Sequence, residues 1–218
     1  MMSLPRKFFF TAGLMLAVNL CQPPVALAGA YEDLRWAAED NNITDIRQLL
    51  VKGADPNTSD AQGNTLLMVA VRNKNAELVD LLIKAGAKLN LRNKYGETAI
   101  MLASYNGLGD IVEKLYVKGA EINHKGWNPL LYAATAGHTK IVQLLLEGGA
   151  EANSISDNGS TALMMAARGN HVDTAKVLLK NGADPNIRNE LGKTALDWAL
   201  SKNHGQIAEV LKAGGATK

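Results

Sequence analysis

The chain has 218 residues, of which 47% are hydrophobic and 20% are charged, and its formal net charge at pH 7 is +2. These values are typical of a folded soluble protein. A net charge this small gives the chain no overall electrostatic attraction for nucleic acid or for anionic lipid, so we expect neither as its partner.

The first 28 residues have the pattern of a secretory signal peptide. Arg6 and Lys7 precede an apolar run of 13 residues over 8–20, and residues 26–28 read Ala-Leu-Ala, which is typical of a cleavage site. An N-terminal membrane anchor is the alternative, although the apolar run is short for a bilayer span. The pattern therefore favours an exported protein.

A lipoprotein anchor at Cys21 is a further alternative. It is disfavoured because Leu20 stands where lipoprotein signals carry a small residue. We expect cleavage near Ala28, which leaves a single repeat domain over 29–218.

The predicted cleavage also removes the only cysteine of the chain. The remaining domain contains 21 basic and 21 acidic residues and no thiol, so it forms no disulfide bond and has no cysteine nucleophile. A domain without thiols suits an oxidising compartment. Together with the compact signal, this indicates a bacterial protein of the periplasm.

The domain repeats with a period of 33 residues, apart from one step of 30. Leucine or isoleucine recurs at Leu34, Leu67, Ile100, Leu130, Leu163 and Leu196. Alanine recurs at Ala37, Ala70, Ala103, Ala133, Ala166 and Ala199. A Gly-Ala pair begins at Gly53, Gly86, Gly119, Gly149, Gly182 and Gly215, and asparagine recurs at Asn57, Asn90, Asn123, Asn153 and Asn186. Since the columns share one spacing and one short step, the domain is a tandem repeat.

Each unit is predicted to form two short helices, as the fifth unit illustrates. Thr161 is a typical N-cap for a first helix over 162–168, and a Gly-Asn pair ends that helix. Apolar residues at helical spacing predict a second helix over 172–180, and Gly182 follows where a left-handed C-cap is needed. One such pair cannot bury its apolar stripe alone, so neighbouring units must stack.

The period, the G-x-T-x-L pattern, the Gly-Ala pair and the closing Asn resemble the ankyrin repeat family over residues 31–216. The matching stretches are GNTLLMVAV (63–71), YGETAIMLAS (95–104), GWNPLLYAATAGH (126–138), GSTALMMAARGNH (159–171) and GKTALDWAL (192–200). The resemblance implies an all-α, ankyrin-type α-solenoid of about six helix-turn-helix repeats with β-hairpin or loop fingers. The units lie at approximately 31–57, 58–90, 91–123, 124–153, 154–186 and 187–216.

The sequence departs from the family pattern at one position in each of units two to six. The histidine that usually follows T-P-L is replaced by Met68, Met101, Leu131, Met164 and Asp197. The hydrogen-bond network of that histidine is therefore not expected here.

No catalytic or metal site is predicted. His138, His171 and His204 occur once per unit, whereas helices pack about 8–10 Å apart and the ligands of one zinc lie about 2 Å from it. The segment LGKT at 191–194 lacks the first glycine of a nucleotide-binding loop, since position 187 is Ile187. We therefore expect neither an enzyme nor a cofactor.

The resemblance instead implies a binding surface made of finger tips and the exposed face of the first helices. The finger of unit four is three residues shorter than that of unit three, so a notch is predicted between Tyr95 and Trp127. Exposed Tyr and Trp are typical binding anchors. The predicted partner-binding residues are Tyr95, Tyr105, Trp127, Lys94, Asn106, Lys125, Arg168 and Asn158.

The alternative interpretation of the notch is that Trp127 folds back and fills the space of the missing residues. Tyr132 and Trp198 occupy an apolar repeat position and are interpreted as core residues.

These patterns predict a non-catalytic protein–protein interaction module that acts as a monomer. Its predicted role is that of an accessory or scaffold protein in the bacterial periplasm. Two alternatives remain: an immunity protein that neutralises a toxin delivered into the periplasm, and an accessory factor for a periplasmic enzyme in oxidant defence.

Overall fold

The computed structural model describes residues 25–217, with side chains from Glu32 onward, and these residues form twelve helices. The first helices of the six units are α1 (Val25–Glu39), α3 (Leu66–Arg72), α5 (Ala99–Tyr105), α7 (Pro129–Ala136), α9 (Ala162–Arg168) and α11 (Ala195–Ser201). The second helices are α2 (Ile43–Val51), α4 (Ala76–Lys84), α6 (Gly109–Val117), α8 (Thr139–Glu147), α10 (Val172–Lys180) and α12 (Gly205–Ala213). The predicted all-helical solenoid is confirmed, and α9 and α10 have the bounds predicted for unit five.

The helices form two layers. Each first helix packs on the first helices of its neighbours, so that α7 lies between α5 and α9, and α10 lies likewise between α8 and α12. The leucine and alanine columns are buried throughout, with the leucine column at most 2% exposed. The core is therefore a continuous slab between the layers, as stacked units require.

Local capping fixes where the helices begin and end. Thr65 and Thr161 each accept a hydrogen bond from the backbone N–H three residues later, and Asn128 does the same for α7. The six glycines of the Gly-Ala pairs all have φ between 84° and 95°. This left-handed conformation follows each second helix and costs glycine far less than any residue with a Cβ.

Each asparagine of the repeat joins its unit to the next. The side-chain oxygens accept from the backbone N–H groups of the following unit in the pairs Asn57–Lys88, Asn90–Glu121, Asn123–Glu151, Asn153–Asp184 and Asn186–Thr217, at 2.7–3.0 Å. In three of these pairs the amide nitrogen also donates to a carbonyl of the next unit, that of Gly149, Gly182 or Gly215. We call this contact the asparagine clamp.

The fingers are the loops that precede the first helices, and we number them by unit. They are loops rather than hairpins: fingers two and five each close in one antiparallel bridge, Ser59–Thr65 and Ile155–Thr161. The described residues contain no extended strand.

The predicted basic and apolar segments of the signal peptide lie in residues 1–24, outside the described part of the chain. The first helix, α1, begins at Val25 and runs through the predicted cleavage site after Ala28. Over residues 25–217, none of the helices combines the length and the apolar character needed to cross a membrane.

Candidate partner-binding surface

Fingers two, three, five and six end in a four-residue tip of one geometry. The tips are 60–63, 93–96, 156–159 and 189–192, and in each the N–H of the glycine donates to the carbonyl of the first residue at 2.8–2.9 Å. The first side chain caps the turn; Asn93, for example, accepts from the N–H groups of Tyr95 and Glu97. An Asn, Asp or Ser at this position is thus needed for the turn itself.

Neighbouring tips are joined to one another. The N–H of Lys94 donates to the carbonyl of Gln62 at 2.9 Å, and the N–H of Glu190 donates to that of Asn158 at 3.2 Å. Gly63 packs closely against Asn93, since a Cβ there would lie 3.3 Å from the Asn93 Cα. The equivalent contact between Gly159 and Asn189 has the same distance. Fingers two and three, and fingers five and six, are therefore two closely packed pairs.

Finger four has no such tip, because three residues are missing between Asn123 and Gly126. As a result, Gly96 of finger three has no atom within 4 Å of the position that a Cβ would take. On the other side, Asp157 of finger five lies directly against Gly126. The predicted notch is thus an open space between the tip of finger three and the short finger four.

An aromatic cluster lies beside the notch. The ring centroids of Trp127 and Tyr132 are 5.3 Å apart, those of Tyr132 and Tyr105 are 6.0 Å apart, and both pairs meet edge to face. Trp127 and Tyr132 are partly buried, and Trp127 packs against the core, whereas Tyr105 is 50% exposed. Edge-to-face pairs of this kind hold each ring in a defined orientation.

Tyr132 also holds the cluster to finger three. Its hydroxyl donates to Glu97 Oε1 at 3.2 Å, and Glu97 Oε2 accepts from the side chain of Asn93 at 2.8 Å. Burial raises the pKa of Tyr132 to about 12, and the Glu97 carboxylate contributes to this shift. The tyrosine hydroxyl is therefore a neutral donor at neutral pH and takes the place of the side chain that a regular finger four would present.

The structure places the predicted binding residues in two groups. Tyr95 lies at the tip of finger three with 74% of its surface exposed, Lys94 is exposed beside it, and Lys125 is exposed on finger four. Tyr105 and Trp127 complete this notch group.

Arg168 and Asn158 belong to unit five. The Arg168 guanidinium carbon lies 6.0 Å from the ring centroid of Trp198, and Asn158 accepts a hydrogen bond from Ser156 within its own tip. Asn106 donates to the carbonyl of Leu102 and so caps its own helix.

The interpretation of Tyr132 as a core residue is wrong in part. Its equivalents Leu102 and Met165 are buried, but Tyr132, like Val69, is only partly buried, and it connects Trp127 to Tyr105. Trp198 is also partly buried, and it packs against the core. The sequence interpretation also missed Leu191, which is 75% exposed at the tip of finger six.

The back of finger four forms a groove with finger five. The groove has a volume of about 640 Å³ and is lined by residues 123–126, Glu151 and residues 153–156. His124 lies in it, with Nδ1 3.2 Å from the carbonyl of Lys125. Burial lowers the pKa of His124 below its ordinary value, so the ring is neutral at neutral pH.

The three histidines at one repeat position have separate structural contacts. In each contact a ring nitrogen of the histidine lies close to a backbone carbonyl oxygen. The pairs are His138–Tyr105 at 2.9 Å, His171–Thr135 at 3.1 Å and His204–Ala167 at 3.0 Å. Each ring thus bridges to the end of the previous first helix. Among residues 25–217, no three His, Cys, Asp or Glu side chains are grouped so that they could hold a metal ion.

Comparison with known families agrees with this architecture. The family described as ankyrin repeats (3 copies) matches residues 34–126, 100–189 and 130–218, which together cover most of the chain. No significant match to a curated protein was found. Because the family matches extend over all six helix pairs, the chain belongs to the ankyrin repeat family.

Proposed function

We propose that this protein binds a protein partner at the notch, with the aromatic cluster of Trp127, Tyr132 and Tyr105 as the anchor. Ankyrin repeats are protein–protein interaction modules, which supports binding in general. The observation that carries the proposal is the position of three connected aromatic rings beside an interruption in an otherwise regular row of fingers. Rigid aromatic side chains give a large contact area for few immobilised torsions.

The cluster is more than the stacking of the units requires. The residues equivalent to Tyr132 in units two, three and five are Val69, Leu102 and Met165, which fill the same position without a hydroxyl. Glu97 is equivalent to Trp127 in unit three and makes polar contacts instead. Tryptophan takes the position of Tyr132 in units one and six, so an aromatic residue there is not specific to the notch. Among units two to six, only unit four has aromatic residues at both positions, and a binding role accounts for this pair beside the notch.

The predicted signal peptide and the absence of cysteine after residue 28 support a periplasmic location. We place the protein there as a monomeric, non-catalytic accessory or scaffold protein. In the version in which it assists a periplasmic enzyme in oxidant defence, moderate affinity and a phenotype under oxidative stress are expected. In the immunity version, the partner is a toxin and the complex is very tight. Measuring the affinity of the captured partner distinguishes these versions.

The test is affinity purification of partners from periplasmic extract with the full chain, the Trp127→Ala variant and the Trp36→Ala variant. Trp36 is a matched control because it is 55% exposed in unit one, outside the notch. We expect Trp127→Ala to lose the partner and Trp36→Ala to retain it. A hot-spot aromatic residue typically contributes 2 kcal/mol or more, which corresponds to a ~30-fold loss of affinity.

Thermal melting of the same variants separates binding from folding. If Trp127→Ala melted at a much lower temperature and still captured the partner, Trp127 would be a space-filling residue and the proposal would fail. The Tyr132→Phe variant adds a milder test, since it keeps the ring and removes only the hydrogen bond to Glu97.

A further inference from the structure

The two regular finger pairs show how a finger receives its neighbour. In each pair, the second residue of the later tip donates its N–H to the carbonyl of the third residue of the earlier tip. The first residue of the later tip packs on the glycine of the earlier tip, as Asn93 does on Gly63. Its side chain also donates to the residue after that glycine, as in the 3.0 Å bond from Asn93 to Asn64.

Finger three presents the same receiving surface, but finger four does not use it. The third tip residue is Tyr95, and within residues 25–217 no backbone N–H of another finger donates to its carbonyl. The tip glycine, Gly96, is open on the side where the next tip would pack. The residue after the glycine is Glu97, whose carboxylate accepts a hydrogen bond from the Tyr132 hydroxyl. The Tyr95 carbonyl and the open side of Gly96 are thus available to a turn, whereas Glu97 is already held by Tyr132 and Asn93.

The charges around this surface are basic. Lys94 of finger three is exposed, the guanidinium of Arg92 donates to the carbonyl of Gly96 at 2.9 Å, and Lys125 is exposed on finger four, where it also lines the groove with finger five. Of the acidic groups near the notch, Glu97 already accepts two hydrogen bonds and Asp157 lies against Gly126 on the far side of finger four. An incoming turn with an acidic residue is therefore electrostatically complementary.

We infer that a turn of the partner protein inserts into the notch and takes the place of the missing finger tip. The geometry selects a four-residue turn with Asn or Ser first, an acidic residue second and Gly last. The tip of finger six, Asn189-Glu190-Leu191-Gly192, has this pattern and packs on finger five in the same way. This inference rests on the proposed function, because it names the occupant of the same surface.

The probe is a fluorescent cyclic peptide with the sequence of residues 187–194, IRNELGKT, and its binding to the full chain is measured by fluorescence anisotropy. A control peptide carries Asn189→Ala and Gly192→Ala, which remove the side chain that caps the turn and the glycine that closes it. We expect the first peptide to bind at least ~tenfold more tightly than the control. Equal binding of the two peptides, or no binding of either, would overturn the inference.

A filled-notch variant tests the location. Replacement of residues 124–125 by the five residues LRNKY of 91–95 gives finger four the length and tip of finger three. This variant should stay folded, since it restores the regular finger, and should lose the peptide. Its matched control, Ala61→Lys with Gln62→Tyr, adds the same two tip side chains to finger two, leaves the notch open and should bind normally. Unchanged peptide binding by the filled variant would place the site elsewhere.

Charge exchange tests the chemistry of the turn. Lys94→Glu with Lys125→Glu should weaken the peptide at least ~tenfold at low salt, and a peptide with Glu190→Lys should recover binding to that variant. The same filled-notch variant separates this inference from the proposed function. If the partner were lost both by Trp127→Ala and by filling of the notch while neither peptide bound the full chain, the proposed function would stand and the inserted turn would be wrong.

Discussion

The helix layers and the row of fingers respond differently to the loss of three residues in unit four. In the helix layer, α7 packs on both α5 and α9, and Leu130 and Ala133 are as buried as their equivalents in other units. In the finger row, Gly96 loses the neighbour that Gly63 and Gly159 have. The first region is thus continuous across unit four, and the second is divided.

This difference arises from the kind of contact in each region. Neighbouring first helices meet through small buried side chains such as Ala103 and Ala133, and this packing tolerates no change of spacing. Neighbouring fingers meet at solvent-exposed tips through hydrogen bonds, whose loss leaves groups that water can satisfy. A deletion in a finger is therefore compatible with the fold, and it creates a surface feature without a large loss of stability.

The largest expected effect comes from the same substitution made in each region. Ala133→Leu inserts a large side chain into the fully buried helix contact and should lower the free energy of unfolding by about 1–3 kcal/mol. Ala61→Leu lies at the exposed tip of finger two and should change it by less than about 0.5 kcal/mol. Urea denaturation of both variants measures the difference. Similar losses would mean that the finger tips share the tight packing of the helices.

A smaller effect is expected at the asparagine clamp. Asn123→Ala removes the bonds to the Glu151 N–H and the Gly149 carbonyl and should cost about 1–2 kcal/mol, since an intramolecular hydrogen bond contributes about 1 kcal/mol net. Asn153→Ala removes the equivalent pair of bonds from a regular unit. We expect equal losses in urea denaturation. A clearly smaller loss for Asn123→Ala would show that the short finger weakens its own junction.

The smallest expected effect is the pH response of finger four. The ordinary pKa of histidine is 6.5, and burial lowers the pKa of His124 below this value in the folded state. In mild acid the unfolded chain therefore binds more protons than the folded chain. The contribution of His124 to stability is therefore complete above pH 6.5 and is lost as the pH falls through the lower folded-state pKa. His124→Leu introduces the residue found at the equivalent Leu91 and removes this titration.

Melting temperatures of the two proteins between pH ~7 and ~5 measure the effect. The native chain should lose more stability over this range than His124→Leu does. Parallel pH profiles would show that the histidine is as accessible in the folded chain as in the unfolded chain.

The repeat columns made most of the fold predictable. Repeated positions such as those of Leu67 and Ala70 define the period. The period in turn indicates which helix faces are buried, because only stacked units can cover the apolar faces. The shortened finger was also predictable, because Asn123 and Gly126 are three residues closer in the sequence than the equivalent residues of the other fingers. These features are properties of spacing, which the sequence records directly.

The composition of the aromatic cluster was harder to predict from the sequence. Tyr132 occupies a column whose other members are apolar, so its pattern predicts a core residue. Its hydroxyl donates to Glu97, 35 residues away in the sequence, and its ring meets those of Trp127 and Tyr105. Contacts between units at positions that the repeat does not conserve depend on the relative placement of the units, and a single sequence does not specify that placement.

Every asparagine clamp is directed from one unit to its successor, with the same acceptor and the same donor at all five junctions. With respect to this contact, the units are therefore interchangeable. Duplication or exchange of whole segments of about one period extends the chain, or moves the short finger to another place along it, and keeps this clamp at each new junction. A lineage that carries such a gene thus has a simple route to new recognition surfaces by recombination alone.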